Sequence, residues 1–147
     1  MAAAWHTRRL FLCDNKGTKE GDTVYIFSNP NPCGRRVGDC TVRAIALLTG
    51  DTWKDVFRDL CHEGLSRCDM PSSNDVWGPY LRSRGYDRYA APRTGDRYTV
   101  ADFAEDHPRG KYLLALHEHV VTVIDGDYYD IWNCGDETVN FYWTKGE

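Results

Sequence analysis

Val37-Gly38-Asp39-Cys40-Thr41-Val42-Arg43-Ala44-Ile45-Ala46-Leu47-Leu48-Thr49-Gly50 is the stretch from which the rest of the chain is read. Asp39 is a residue type that caps helix N-termini and Gly50 one that ends helices, and the run from Val42 to Leu48 is too continuously apolar for a surface helix. The spacing predicts a buried helix beginning at Cys40. A cysteine in a first helical turn meets unpaired backbone N–H groups and the positive end of the helix dipole, and both favour thiolate over thiol. The competing reading of Cys40 is a small apolar side chain in a core helix.

On the N-terminal side, Thr23 to Phe27 is rich in β-branched and aromatic residues and reads as a strand, closed by the turn Ser28-Asn29-Pro30-Asn31-Pro32. Residues 1–22, with the apolar patch Leu10-Phe11-Leu12 between turn signals, read as an N-terminal arm or edge strand, and 23–147 as a single domain. On the C-terminal side, Thr52 and Asp55 form a capping box for an amphipathic helix carrying Trp53, Val56, Phe57, Leu60 and Cys61, with His62 and Glu63 at its solvated end. A short third helix is expected over Asp75–Arg84, started or kinked at Gly78-Pro79 and ended by Gly85. Tyr86 to Tyr98 carries mixed signals, and Thr99 with Asp102 caps a short helix to Glu105. The C-terminal third turns to strands, with runs at Lys111–Leu116, His119–Ile124, Tyr128–Trp132 and Thr138–Trp143. Helices followed by strands imply an α+β fold in which an antiparallel meander packs on the Cys40 helix.

At 147 residues, 41% hydrophobic and 27% charged, the chain has the makings of one soluble globular domain. Its net charge of −4 and its basic residues, grouped only in pairs such as Arg8-Arg9 and Arg35-Arg36, argue against nucleic acid as a partner. No stretch has the length of a signal peptide core or a bilayer span. The expectation is no membrane association and a cytoplasmic location, or the host cytoplasm for a phage-encoded chain. Cysteines 13, 33, 40, 61, 68 and 134 are then reduced thiols. They include no Cys-x-x-Cys pair, and the spacing of Cys61-His62 and Cys68 is irregular for a tetrahedral site, so neither a metal nor a cofactor is expected.

A nucleophilic cysteine needs a base within hydrogen-bond reach and usually a third group to orient that base. Of the five histidines, His6 lies in the arm, His62 at a helix end and His107 before a proline, leaving His117 and His119. His119 directly precedes an apolar run, where a side chain is held at the rim of the core, and is preferred; His117 shares its parity and is the alternative. On the return strand, joining the two more apolar faces sets Asn133 beside His119 and makes it the expected orienting residue. A strict two-residue turn at Asp125-Gly126 would instead pair Val123 with Tyr128 and bring Asp130 to the histidine. Binary pattern normally outranks turn statistics, so Asn133 is taken ahead of Asp130.

The ordered set Gly38-Asp39-Cys40, His119-Val120-Val121 and Trp132-Asn133 resembles a small papain-like cysteine peptidase, of the bacterial and phage branch similar to the double-glycine leader peptidases. The resemblance covers roughly residues 29–143. It implies a Cys40 thiolate, His119 as base and then acid, Asn133 as orienter, and hydrolysis of a peptide or protein substrate through an acyl-enzyme. Where these peptidases carry an oxyanion-stabilising Gln six residues before the cysteine, this chain has Gly34. Asn31 is the nearest side-chain amide to serve, together with the Cys40 backbone N–H. Two other readings stand beside the peptidase: an acyltransferase or amidase using the same dyad, and a binding module in which Trp77, Tyr80, Tyr86 and Tyr89 form a partner surface.

Overall fold

The computed structural model describes residues 22–92 and 97–146, so the expected arm lies, up to residue 21, outside the described residues. Ten elements follow in the order β1 (Tyr25–Phe27), α1 (Cys40–Thr49), α2 (Trp53–Arg67), α3 (Asn74–Ser83), β2 (Tyr86–Ala90), α4 (Val100–Asp106), β3 (Lys111–Leu116), β4 (His119–Ile124), β5 (Asp127–Asp130) and β6 (Phe141–Lys145). The fold is α+β, with four helices and a six-stranded sheet among the described residues.

Capping chemistry places the helices where the residue types require. Thr52 accepts the Asp55 N–H at 3.1 Å, and Thr99 and Asp102 exchange bonds in a complete capping box. Gly50 ends α1 in the left-handed region at φ 79°, its N–H on the Ala46 carbonyl. Two expectations need correction. Helix α2 runs on to Arg67, one turn past His62 and Glu63, until Cys68 takes φ 54°. Asp39 precedes α1, but its side chain makes no cap bond, because other partners claim its carboxylate.

The sheet order is β1-β5-β4-β3-β6-β2. Strands β3, β4 and β5 are joined antiparallel as expected, but the meander stops there: β6 crosses back to pair with β3 and β2, and β1 adds to β5 in parallel. Tyr86–Ala90, from the stretch with mixed sequence signals, thus contributes an edge strand. Alternation splits β3 and β4 between two cores. Leu113, Ala115 and Val120 meet α1, α2 and α3, while Leu114, Leu116, Val121 and Val123 meet α4. Helices therefore cover both faces of the central strands, and no helix among the described residues is long and apolar enough to cross a membrane.

Helix α1 lies along β4 and is fixed there by a polar contact as well as by packing. The fully buried Thr122 hydroxyl donates to the Ala44 carbonyl at 2.7 Å, and Ile45 and Leu48 fill the core beside it. The helix that begins with Cys40 and the strand that begins with His119 are thereby held as one unit.

Candidate active site

Cys40 is the first residue of α1, and the first helical bond runs from the Arg43 N–H to the Asp39 carbonyl at 2.9 Å. The N–H groups of Cys40, Thr41 and Val42 precede that bond at the positive end of the helix. The thiol is half-buried and faces His119. Burial pushes it up, but hydrogen bonds from His119 and the Val120 N–H, the imidazole charge and Thr41 together hold it below its ordinary value.

His119 opens β4 directly after the two-residue turn His117-Glu118, where Glu118 sits at φ 54°. His117 is an exposed turn residue, which removes it as the base. Nε2 of His119 is hydrogen-bonded to Oδ2 of Asp130, and the imidazole also meets Cys40 and Cys134. Burial lowers the histidine, yet the Asp130 carboxylate, with bonds to Cys134 and Cys40, raises it well above the usual imidazole range. Trp132 packs over the imidazole at 5.0 Å between ring centres.

The group on His119 is thus Asp130 and not Asn133. Asp125 and Gly126 both have positive φ, 49° and 82°, and form the strict two-residue turn, pairing Ile124 with Asp127 and Val123 with Tyr128. Binary pattern fails to set this register because the face expected to be amphipathic is buried under α1, so both faces of β4 accept apolar residues and turn chemistry decides. Asn133 lies in the loop beyond β5 and builds it. Its Oδ1 accepts the Gly135 N–H at 3.0 Å, an Asx turn, and the Tyr128 hydroxyl at 2.9 Å.

Asp130 is held from several sides. Oδ1 accepts the Ile131 N–H at 2.7 Å and faces Nη2 of Arg43 at 3.5 Å, the Cys134 thiol lies 3.5 Å from Oδ2, and the Ser28 N–H donates to its carbonyl at 2.9 Å. Arg43 is itself only 4% exposed and donates through Nη1 to Oδ1 of Asp39 at 3.0 Å. Oδ2 of Asp39 accepts Nε1 of Trp53 at 2.9 Å. Arg43 and Cys134 are site residues that the sequence reading passed over. Arg43 had a signal, a lone cation inside an apolar helix four residues after an aspartate.

Asn31 is buried and turned to the loop that leads into α1. Its Nδ2 lies 3.5 Å from Oδ2 of Asp39 and its Oδ1 accepts the Cys33 N–H at 2.9 Å. The amide thus directs one N–H to the carboxylate of Asp39, the residue that precedes Cys40. His119, Asp130 and Cys134 also place one nitrogen, one oxygen and one sulfur within 4.8 Å of one another, a donor set suited to a soft divalent ion. His119 and Cys134 each bond to the Asp130 carboxylate, which Arg43 faces, so the three form a hydrogen-bonded cluster. No protein-family model, curated protein or solved structure matches the chain.

Proposed function

We propose that this protein is a cysteine hydrolase of peptide or isopeptide bonds, papain-like in fold and acting in the cytoplasm. The observation that carries the reading is a half-buried cysteine at a helix start, facing a histidine that is held by a buried aspartate.

Each group then has a task. The Cys40 thiolate attacks the substrate carbonyl carbon, and the developing oxyanion lies against the N–H groups at the start of α1, with the second N–H of Asn31 beside them. As the C–N bond breaks, the His119 imidazolium gives its proton to the leaving amine. The neutral imidazole next takes a proton from water, which attacks the thioester, releases the carboxylic acid and returns the thiolate. Asp130 keeps the imidazole in one orientation and stabilises its charged form. A binding-module reading is less well supported: Trp77, Tyr80 and Tyr86 are core residues, and of the four aromatics only Tyr89 is exposed.

Incubation with thiol-reactive peptide mimics tests the reading, with the modified residue located by mass spectrometry and turnover followed on peptide and isopeptide libraries. The expected result is a covalent adduct at Cys40 and loss of turnover in Cys40→Ala and in His119→Ala. Product that forms only with an added amine acceptor, without hydrolysis, would reassign the protein to acyl transfer. Ordinary thiol reactivity at Cys40 would remove it from catalysis.

A further inference from the structure

We infer that Arg43 is a positioning residue, a buried two-pronged bridge that ties the start of the nucleophile helix to the end of the strand carrying the aspartate, and so sets Cys40 against His119. The inference rests on the hydrolase reading and adds to it a residue outside the Cys-His-Asp set.

A buried guanidinium is costly unless its donors are matched, and Arg43 divides its donors between two carboxylates from separate parts of the chain. Nη1 meets Oδ1 of Asp39 at 3.0 Å and Nη2 meets Oδ1 of Asp130 at 3.5 Å, with all three side chains at most 6% exposed. The remaining oxygens have partners of their own. Oδ2 of Asp39 takes the Trp53 indole N–H, and Oδ2 of Asp130 takes His119. One rigid fork therefore fixes the carboxylate immediately before Cys40 and the carboxylate that orients its base. Lysine would supply the charge as a single point and could not hold both in fixed geometry.

The charged and titratable groups around the bridge are Asp39 before α1 and Asp130 of β5, then His119 and Cys134 on the Asp130 carboxylate, Cys40 on His119, and Tyr25 of β1, whose hydroxyl donates to the Asp130 carbonyl at 3.2 Å and which Arg36 approaches. Removing the guanidinium charge from this cluster favours a bound proton on Cys40 and on His119 alike. Both limbs of a Cys40 reactivity profile then move to higher pH. A purely structural loss would lower the amount of folded protein without moving the limbs together.

The test is the rate of Cys40 alkylation by iodoacetamide against pH, read by mass spectrometry on folded wild-type, Arg43→Lys and Arg43→Gln protein. Arg43→Gln is expected to shift both limbs upward by about one pH unit, the effect of one charge across roughly 10 Å of protein. Arg43→Lys, which keeps the charge but not the fork, should fall between. A wild-type profile reactive at low pH with a coincident Arg43→Gln profile overturns the inference and leaves the hydrolase reading standing. Should Arg43→Gln not fold, an Arg43→Lys profile indistinguishable from wild type overturns it equally, and an intermediate one supports it. Wild-type Cys40 behaving as an ordinary thiol would overturn the hydrolase reading, and this inference with it.

Discussion

Asp130 reaches His119 from the adjacent strand, Oδ2 on Nε2, while Asn133, three residues further along, spends its oxygen on Tyr128 and Gly135. The carboxylate and the amide are thereby given separate work, one on the histidine and the other on its own loop.

Exchanging either residue separates these tasks. Asp130→Asn removes the charge that raises His119, and the rate of Cys40 alkylation at pH 5 should fall by about 10- to 100-fold, one to two units of proton affinity. Asn133→Ala should leave that rate within about twofold and instead cost roughly 1–2 kcal/mol in urea denaturation, for two lost hydrogen bonds. A large rate loss in Asn133→Ala with none in Asp130→Asn would reverse the assignment.

Reactivity and stability follow pH with opposite signs at the two partners. Because Cys40 is lowered and His119 raised, alkylation should hold a plateau from below the ordinary thiol range up into the alkaline range, and His119→Ala should abolish it. In a Cys40→Ser background the raised histidine contributes stability in full below about pH 6.5, its unfolded value. That contribution should drain away as pH rises toward the folded value. Urea midpoints of Cys40→Ser and Cys40→Ser/His119→Ala should therefore converge with rising pH, and divergence would contradict the pairing.

The Asp125-Gly126 turn governs the register that presents Asp130. In Gly126→Ala a Cβ would stand 3.3 Å from Pro108 Cα and 3.4 Å from the Ala104 carbonyl, at a φ of 82° that alanine rarely adopts. A loss of about 1–3 kcal/mol is expected. Inserting one glycine after Asp125 should do more, withdrawing Asp130 from His119 and lowering alkylation at pH 5 as Asp130→Asn does.

Thr122→Val keeps the shape of a fully buried side chain and removes only its bond to the Ala44 carbonyl. Thermal and urea unfolding should show about 1–2 kcal/mol lost. A neutral result would mean that apolar packing alone holds α1 on β4.

Much of this architecture is written locally. The Gly50 end of α1, the Thr52 and Thr99 caps and the spans of β3 and β4 follow from residue types whose backbone preferences nothing overrides. Cys40 and His119 were legible for the same reason, each standing at the first residue of an element. What escaped depends on the third dimension. The strand order could not be read because β6 crosses over to β3 and β1 comes from far upstream, and the histidine's partner was misassigned because a sheet covered on both faces gives no contrast to fix its register. Arg43 was passed over because its two carboxylates meet only after folding, one of them 87 residues away.

The parallel pairing of β1 with β5, Phe27 opposite Asp130 and the Ser28 N–H on the Asp130 carbonyl, has a consequence during synthesis. Cys40 emerges from the ribosome 90 residues before Asp130, and β1 has no strand to join until that aspartate arrives. A growing chain therefore carries an ordinary cysteine. The Cys40–His119–Asp130 arrangement is complete only once β5 has been made.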